Sequence, residues 1–239
     1  MDSYLYSLVK KEDLNDMMET FYQCMDLPIQ LLDEQGNILE SYGKTANFCT
    51  LFKKRLTAQD SCIKEHSNAS KKAMALGEPY IFSCHANLNH IVFPLINRDA
   101  LLGSVLIGPF VLGEFNSVLI DDISRRYPFT TSELFDMYDE SKFLTVVSPE
   151  KARYLSKMLY YMFSNLISDS KQALVLKQNK FHQQALINES IQMYKTASIP
   201  QKNSYPYEKE CILITKLKTG AVDEAKAVLN DLLGYVFLS

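Results

Sequence analysis

The first half of the chain contains cysteine and histidine residues whose side chains could carry chemistry. Cys49, Cys62 and Cys84 lie there, and His85 directly follows Cys84. Thiols and imidazoles of this kind could bind a metal ion, form a thiol redox switch, supply a catalytic nucleophile with its base, or line a pocket. The functional interpretation depends on which of these four roles the rest of the sequence favours.

A metal site is the first interpretation. A structural zinc site needs four ligands that converge at ~2.0–2.3 Å, and the chain contains no Cys-x-x-Cys pair. Neighbouring residues of a regular strand point to opposite faces, so Cys84 and His85 can share an ion only where the strand ends or bulges. We therefore expect no bound metal and no other cofactor. An iron centre or a thiol switch on the three cysteines remains an open alternative.

A catalytic cysteine needs more than the sequence offers. Such a nucleophile requires a lowered thiol pKa, a nearby base and an oxyanion hole. Cys84 with His85 or His90 supplies only the residue types, and no Gly-rich phosphate loop, His-Glu-x-x-His motif or nucleophile elbow occurs. We expect no catalytic residues, and the protein is predicted not to be an enzyme.

A small-molecule pocket is the remaining interpretation. Such pockets are mostly apolar and contain a few placed polar groups. The candidate ligand-binding residues are Phe48, Cys49, Cys62, Tyr80, Phe82, Cys84, His85, Phe93 and Ile107. His66 and His182 have polar neighbours and are expected to be solvated. Cys24 and Cys211 are expected to be buried on helix faces.

The elements that must position these residues follow from apolar periodicity. A helix is predicted over 11–25, and a β-hairpin around the turn at 33–37. A second helix is predicted from Asp60 to Ala75, ended by Gly77, before strands at 79–85, 90–96 and 101–112. This order predicts an α+β fold, in which a five-stranded antiparallel sheet has helices packed on one face around a cavity. The predicted sensing domain spans residues 1–147.

The remainder of the chain is predicted to be helical. Short helices are expected at 117–126 and 131–140. Ser148-Pro149-Glu150 is a helix start, and neither Pro nor Gly follows until after Ala197. One long connector helix is therefore predicted over 148–198, packed first on the sensing domain and later on a second copy. Residues 199–239 predict a helical hairpin around Gly220 whose apolar stripe is too large for the hairpin to bury. Either a partner copy covers that stripe or the natural protein continues towards a DNA-binding domain.

Composition restricts the compartment and the binding partners expected for the protein. The net charge is −3, which supplies no overall attraction to nucleic acid or anionic lipid. No run of 18 apolar residues occurs, and the acidic N-terminus does not match a secretory signal. Five cysteines, an odd number, fit a reducing compartment. These features predict a cytoplasmic protein without a membrane partner.

Four segments resemble a known family, the PocR sensory domain, over roughly residues 10–165. They are FC at 48–49, SC at 61–62, ALGEPYIFSCHANL at 75–88 and FPLINRDALLGSVLIGPF at 93–110. The resemblance implies a PAS-like fold in a bacterial signalling protein that senses small hydrocarbon derivatives such as short alcohols and diols. Asn87 and Pro109 stand where the family commonly has Gly and Gln, so the identity of the ligand is not carried over.

A second resemblance concerns the C-terminal segment. YPYEKE at 205–210 and LNDLLGYVFLS at 229–239 resemble the region before the DNA-binding part of AraC-type transcription regulators. Together the resemblances imply the ligand-sensing module of a cytoplasmic transcription regulator. This module would signal through a homodimer and reach DNA only through a further C-terminal domain. The alternative is a metal- or thiol-based redox sensor on the same scaffold.

Overall fold

A computed structural model describes residues 4–54, 61–113, 118–167, 169–196 and 207–236. The chain divides into two compact units, Met1–Gln178 and Asn179–Ser239. The expected cap at Asp60 and the expected linker at 199–206 lie outside the described residues. Within the described residues, no helix combines the length and apolar character needed to cross a bilayer.

The first unit alternates helices and strands after a 3-10 turn at Tyr4–Ser7. Its elements are α1 (Lys11–Met25), β1 (Ile29–Asp33), β2 (Ile38–Tyr42), α2 (Asn47–Lys53), α3 (Cys62–Leu76), β3 (Tyr80–Ser83), β4 (Asn89–Asn97), β5 (Ala100–Leu112), α4 (Val118–Arg126), α5 (Thr131–Ser141), β6 (Val146–Val147), α6 (Pro149–Phe163) and the start of α7 (Ser170–Thr196). The predicted α+β class is confirmed, and the predicted helices and strands of this unit are present.

The five predicted strands form one antiparallel sheet in the order β2-β1-β5-β4-β3. Ile107 of β5 lies opposite Ile29 on one side and Ile91 on the other, and Phe93 lies opposite Val105. β6, which was not predicted, adds a short parallel strand beside β5. β4 and β5 are therefore the central pair of the sheet.

Helices cover both faces of the sheet, not one face as predicted. On the first face, Met18 of α1 and Leu159 of α6 share a core with Phe93 and Ile107. On the second face, α3 packs through its small residues; the shared cluster comprises Leu32, Ala69, Ala73, Phe82, Val92 and Leu106. The physical reason is that β4 is apolar at consecutive positions rather than alternating ones, which requires cover on both sides.

The single long helix predicted over 148–198 is also corrected. α6 ends at Phe163 and α7 begins at Ser170, so six residues separate the two helices. The segment at 164–169 reads SNLISD, and Ser, Asn and Asp side chains compete with the helix for backbone hydrogen bonds. Ile167 is buried in the core of the first unit, which holds the break in place. α6 and the start of α7 therefore belong to the first compact unit.

The second unit contains the rest of α7 and a helical hairpin of α8 (Tyr207–Lys218) and α9 (Val222–Val236). The predicted hairpin around Gly220 is confirmed. Lys209 and Asp231 join its two helices through an ion pair of 2.7 Å. Of the predicted apolar stripe, Ala225 and Leu232 are buried, whereas Leu229 is 44% exposed.

Candidate functional site

A cavity of about 330 Å³ lies on the second face of the sheet, beside α2 and α3. Residues of α2, α3, β4, β5 and the turn after β3 line it. The side chains of chemical interest are Cys49, Cys62, His66, Cys84, His85 and His90. The cavity therefore brings three thiols and three imidazoles together in a space that is otherwise largely apolar.

Cys84 and His85 reach the same cavity because the strand ends just before them. β3 stops at Ser83, not at residue 85 as predicted. The Cys84 N–H donates to the carbonyl of Leu88 at 2.9 Å, and the Asn87 N–H donates to the carbonyl of Cys84 at 2.8 Å. Asn87 has φ +56°, a left-handed conformation that Gly or Asn adopts most readily. Asn87 therefore suits this turn, in which most other residues would be strained.

Four of the nine predicted ligand-binding residues line the cavity: Cys49, Cys62, Cys84 and His85. Phe48 lies fully buried in a separate cluster beside α5. Tyr80 and Phe82 lie along a shallower depression next to α3, where the two rings stack at 6.2 Å.

Phe93 and Ile107 do not line the cavity. Both lie on the first face of the sheet, in the core under α1 and α6. The reason is the two-residue period of a strand. His90, Val92 and Leu106 point towards α3, so the odd-numbered Phe93 and Ile107 point away from it.

Two cavity residues were missed by the sequence interpretation. His66 was expected to be solvated but is only 9% exposed, and His90, which was not included in the site, is 5% exposed. A signal for His66 was present, because it shares one helical face with Ala69, Ser70 and Ala73 at steps of three and four residues. His182 is exposed, as expected, whereas Cys24 and Cys211 are exposed and were predicted wrongly.

Burial keeps the cavity thiols protonated. It raises the pKa of Cys49 to about 12, and the neighbouring Cys84 adds to this shift. Burial likewise raises the pKa of Cys84 to about 11, although backbone hydrogen bonds from Ala86 and Leu88 oppose it. The pKa of Cys62 is raised too, chiefly by burial. These side chains therefore act as small, weakly polar groups at neutral pH rather than as thiolates.

Burial also keeps two of the imidazoles neutral. It lowers the pKa of His66 to about 4, with positive charge on Lys53 contributing. It lowers the pKa of His90 to about 3, with His66 contributing and the Leu88 backbone opposing. A neutral imidazole offers one hydrogen-bond donor and one acceptor. Both rings are thus equipped to recognise an uncharged polar group.

His85 differs from the other two imidazoles because a carboxylate lies beside it. Its Nε2 is 3.0 Å from an oxygen of Glu65, although the ring N–H is not directed well enough at that oxygen to form a hydrogen bond. In the part of the chain that the structure describes, no three His, Cys, Asp or Glu side chains converge closely enough to hold a metal ion.

Comparison with known proteins gives one family and one relative. The family model described as the sensory domain found in PocR matches residues 7–171. The regulatory protein PocR of Salmonella typhimurium (strain LT2) is 22% identical over 177 residues, which cover 72% of this chain. The match spans 56% of the relative's length. Because the family model covers well over half of the chain, this protein belongs to the PocR sensory-domain family.

Proposed function

We propose that this chain is the ligand-sensing part of a cytoplasmic bacterial transcription regulator of the AraC type. It binds a small molecule in the cavity beside α3 and transmits the binding event through α7 to a homodimer. Contact with DNA belongs to another part of the regulator, and no membrane partner is involved. The ligand is a short alcohol, a diol or a related hydrocarbon derivative.

The single observation that carries this proposal is the cavity. Its apolar walls contain a few buried polar groups, which is the usual composition of a small-molecule site. A volume of about 330 Å³ lies at the lower end of the range of small-molecule pockets, about 300–1,000 Å³. The cavity therefore suits small ligands such as short alcohols and diols.

Helix α3 connects the cavity with the start of α7. Its first turns carry Cys62 and His66 into the cavity, and its last residue is followed by Gly77. The side-chain amide of Gln178 on α7 donates to the carbonyl of Gly77 at 2.8 Å. Lys177 pairs with Asp99 in the β4–β5 turn at 3.0 Å. A ligand that displaces α3 would therefore disturb the contact between Gly77 and Gln178 at the start of α7.

Signalling requires that the ligand bind one arrangement of the dimer better than the other. The first half of α7 carries apolar side chains that are exposed to solvent: Leu176 is 69% exposed and Phe181 is 54% exposed. Sedimentation equilibrium with and without a saturating ligand tests this step. An unchanged dimer affinity would contradict signalling through dimerisation.

A second candidate function is a thiol- or metal-based sensor, supported by the convergence of Cys49, Cys62 and Cys84 on one cavity. The raised pKa values of these thiols speak against it, since the thiolate is the form that reacts and binds metal. Native mass spectrometry after purification without oxygen separates the two candidates. An added metal mass favours the thiol- or metal-based sensor, whereas an added organic mass identifies a bound small molecule.

The decisive experiment compares two Cys→Phe variants. Cys62→Phe places a ring in the cavity, whereas Cys24→Phe places the same ring on the exposed side of α1. Isothermal calorimetry with straight-chain alcohols and diols of two to six carbons would show binding to the unmodified chain and to Cys24→Phe. Binding to Cys62→Phe should be lost. Equal binding to both variants would place the ligand elsewhere.

A further inference from the structure

The cavity beside α3 carries positive charge where it opens to solvent. Lys44 and Lys53 both line the cavity and are both exposed, so these two side chains lie at its opening. Lys44 lies between β2 and α2, and Lys53 is the last residue of α2. None of the described lining residues is Asp or Glu. The opening is therefore cationic, and the described lining supplies no carboxylate to balance it.

The charge on Lys53 is felt inside the cavity. Burial raises the pKa of Cys49 and of Cys62, and the positive charge on Lys53 opposes both shifts. Burial lowers the pKa of His66, and the charge on Lys53 adds to that shift. Three lining side chains on two helices thus lie within electrostatic reach of one ammonium group. The same ammonium group would attract an anion that entered between these helices.

Neither lysine is neutralised within the part of the chain that the structure describes. Lys44 and Lys53 form no ion pair with a described carboxylate. Glu65 lies nearby, but its carboxylate is 3.0 Å from Nε2 of His85, and the residue lines the neighbouring depression. Lysine ammonium groups bind carboxylates through charge-assisted hydrogen bonds, which are stronger than hydrogen bonds between neutral groups. The two lysines are therefore available to an anionic ligand.

The inner part of the cavity suits an apolar chain. Phe52 and Ala86 line it and are buried, and the thiols of Cys49 and Cys84 are protonated there. A carboxylate among these groups would lose its hydration without gaining an opposite charge, which is unfavourable. The favourable orientation leaves the carboxylate at the opening and places the hydrocarbon part of the ligand inside.

We propose that the cavity binds a short-chain organic acid, whose carboxylate pairs with Lys53 at the opening and whose hydrocarbon chain lies in the buried part. Lys44 adds to the attraction at the same opening. This inference rests on the proposed function of the cavity, and it narrows the ligand from alcohols to the acids of the same carbon chain. It assigns ligand recognition to a lysine that the sequence motifs do not single out.

The test compares hexanoate with hexan-1-ol, which share a six-carbon chain and differ in the charge of the head group. Calorimetry on the full chain at low salt should show hexanoate binding more tightly by about fivefold or more. Raising the salt from about 0.05 M to about 0.5 M should weaken hexanoate binding about threefold or more, because salt screens exposed charges. Binding of hexan-1-ol should not weaken.

Two lysine variants assign the head group to its partner. Lys53→Met removes the charge with little change in length, and it should weaken hexanoate binding by about five- to tenfold. Hexan-1-ol binding should change less than about twofold, which also shows that the variant keeps its cavity. Lys54→Met is the matched control, because Lys54 is exposed beside Lys53 but does not line the cavity. It should change hexanoate binding less than about twofold.

The outcomes separate this inference from the proposed function. Hexan-1-ol that binds at least as tightly as hexanoate, and that Cys62→Phe excludes, overturns the inference and leaves the cavity as the ligand site. Equal effects of Lys53→Met and Lys54→Met on hexanoate binding also overturn the inference. Absence of binding by both compounds, or binding that Cys62→Phe does not affect, overturns both the inference and the proposed function.

Discussion

The hydroxyl oxygens of Ser70 on α3 and Ser104 on β5 lie 2.7 Å apart, and both side chains are fully buried. The Ser70 hydroxyl also donates to the carbonyl of His66 at 2.8 Å. Because a hydroxyl has one hydrogen, Ser104 must be the donor between the two serines. This hydrogen bond fixes α3 on the sheet immediately beside the cavity.

The direction of that hydrogen bond predicts unequal effects of two substitutions. Ser104→Ala removes one hydrogen bond and should lower the free energy of unfolding by about 1 kcal/mol. Ser70→Ala leaves the Ser104 hydroxyl buried without a partner and should lower it by about 1–3 kcal/mol. Urea unfolding followed by circular dichroism measures both. The exposed Ser124, whose hydroxyl donates to the carbonyl of Asp121 in its own helix, is the control, and Ser124→Ala should have an effect below about 0.5 kcal/mol.

The contact between α3 and α7 predicts that Gly77 does not tolerate a side chain. A Cβ there would lie 2.5 Å from the carbonyl oxygen of Leu174 and 2.9 Å from Cβ of Lys177, and Gly77 has φ +74°. Gly113 has φ +83°, but a Cβ there would meet no described atom within 4 Å. Gly113→Ala should thus lower the free energy of unfolding only by the backbone strain of ~1–2 kcal/mol.

Gly77→Ala should lower the free energy of unfolding by about 1–3 kcal/mol more than the backbone strain alone, because the start of α7 must move. Chemical denaturation of the two variants gives the comparison, and crosslinking between introduced cysteines on α3 and α7 reports the displacement. Equal losses in both variants would show that α7 is not seated on the end of α3.

The buried imidazoles predict a loss of stability in mild acid. The folded-state pKa values of His66 and His90 are about 4 and about 3, below the ordinary value of 6.5. The unfolded chain therefore takes up protons as the pH falls below 6.5, while the folded chain does not until about pH 4. The free energy of unfolding should fall by up to about 1.4 kcal/mol per pH unit for each histidine in this window.

The readout is the slope of unfolding free energy against pH between 6.5 and 5. A double variant with His66→Phe and His90→Phe should have a mean slope about 2 kcal/mol per pH unit smaller than the unmodified chain, because each unfolded histidine is only half protonated at pH 6.5. If the double variant retained the full slope, the two imidazoles would not be buried in the neutral form.

The cavity thiols should resist alkylation. Cys24 and Cys211 are exposed, and we expect iodoacetamide at pH 8 to modify them first. Cys49 and Cys84 are protonated and only partly exposed, so they should react at least tenfold more slowly until urea unfolds the chain. Peptide mapping by mass spectrometry follows each site. Alkylation of Cys49 at the rate of Cys24 would favour the thiol sensor instead.

Local sequence patterns were sufficient for most elements of the sensing unit. The 3.6-residue period places α1 at Lys11–Met25, as predicted, and the tight turn at Arg98 and Asp99 joins β4 to β5. These elements depend on short-range rules: helix periodicity, turn residues and the ends of strands. The sequence proposed Cys49, Cys62, Cys84 and His85 as members of one binding site, and the packing of separate elements places them along one cavity.

Tertiary structure decided which face of each element meets which neighbour. In β4 the residues 91–96 are all apolar, so the sequence alone does not tell which face of the strand points at α3, and Phe93 was placed wrongly. His66 has polar neighbours along the chain, yet the packing of α3 on the sheet buries it. A side chain's neighbours along the chain follow from the sequence, whereas its burial depends on segments distant in sequence that pack against it.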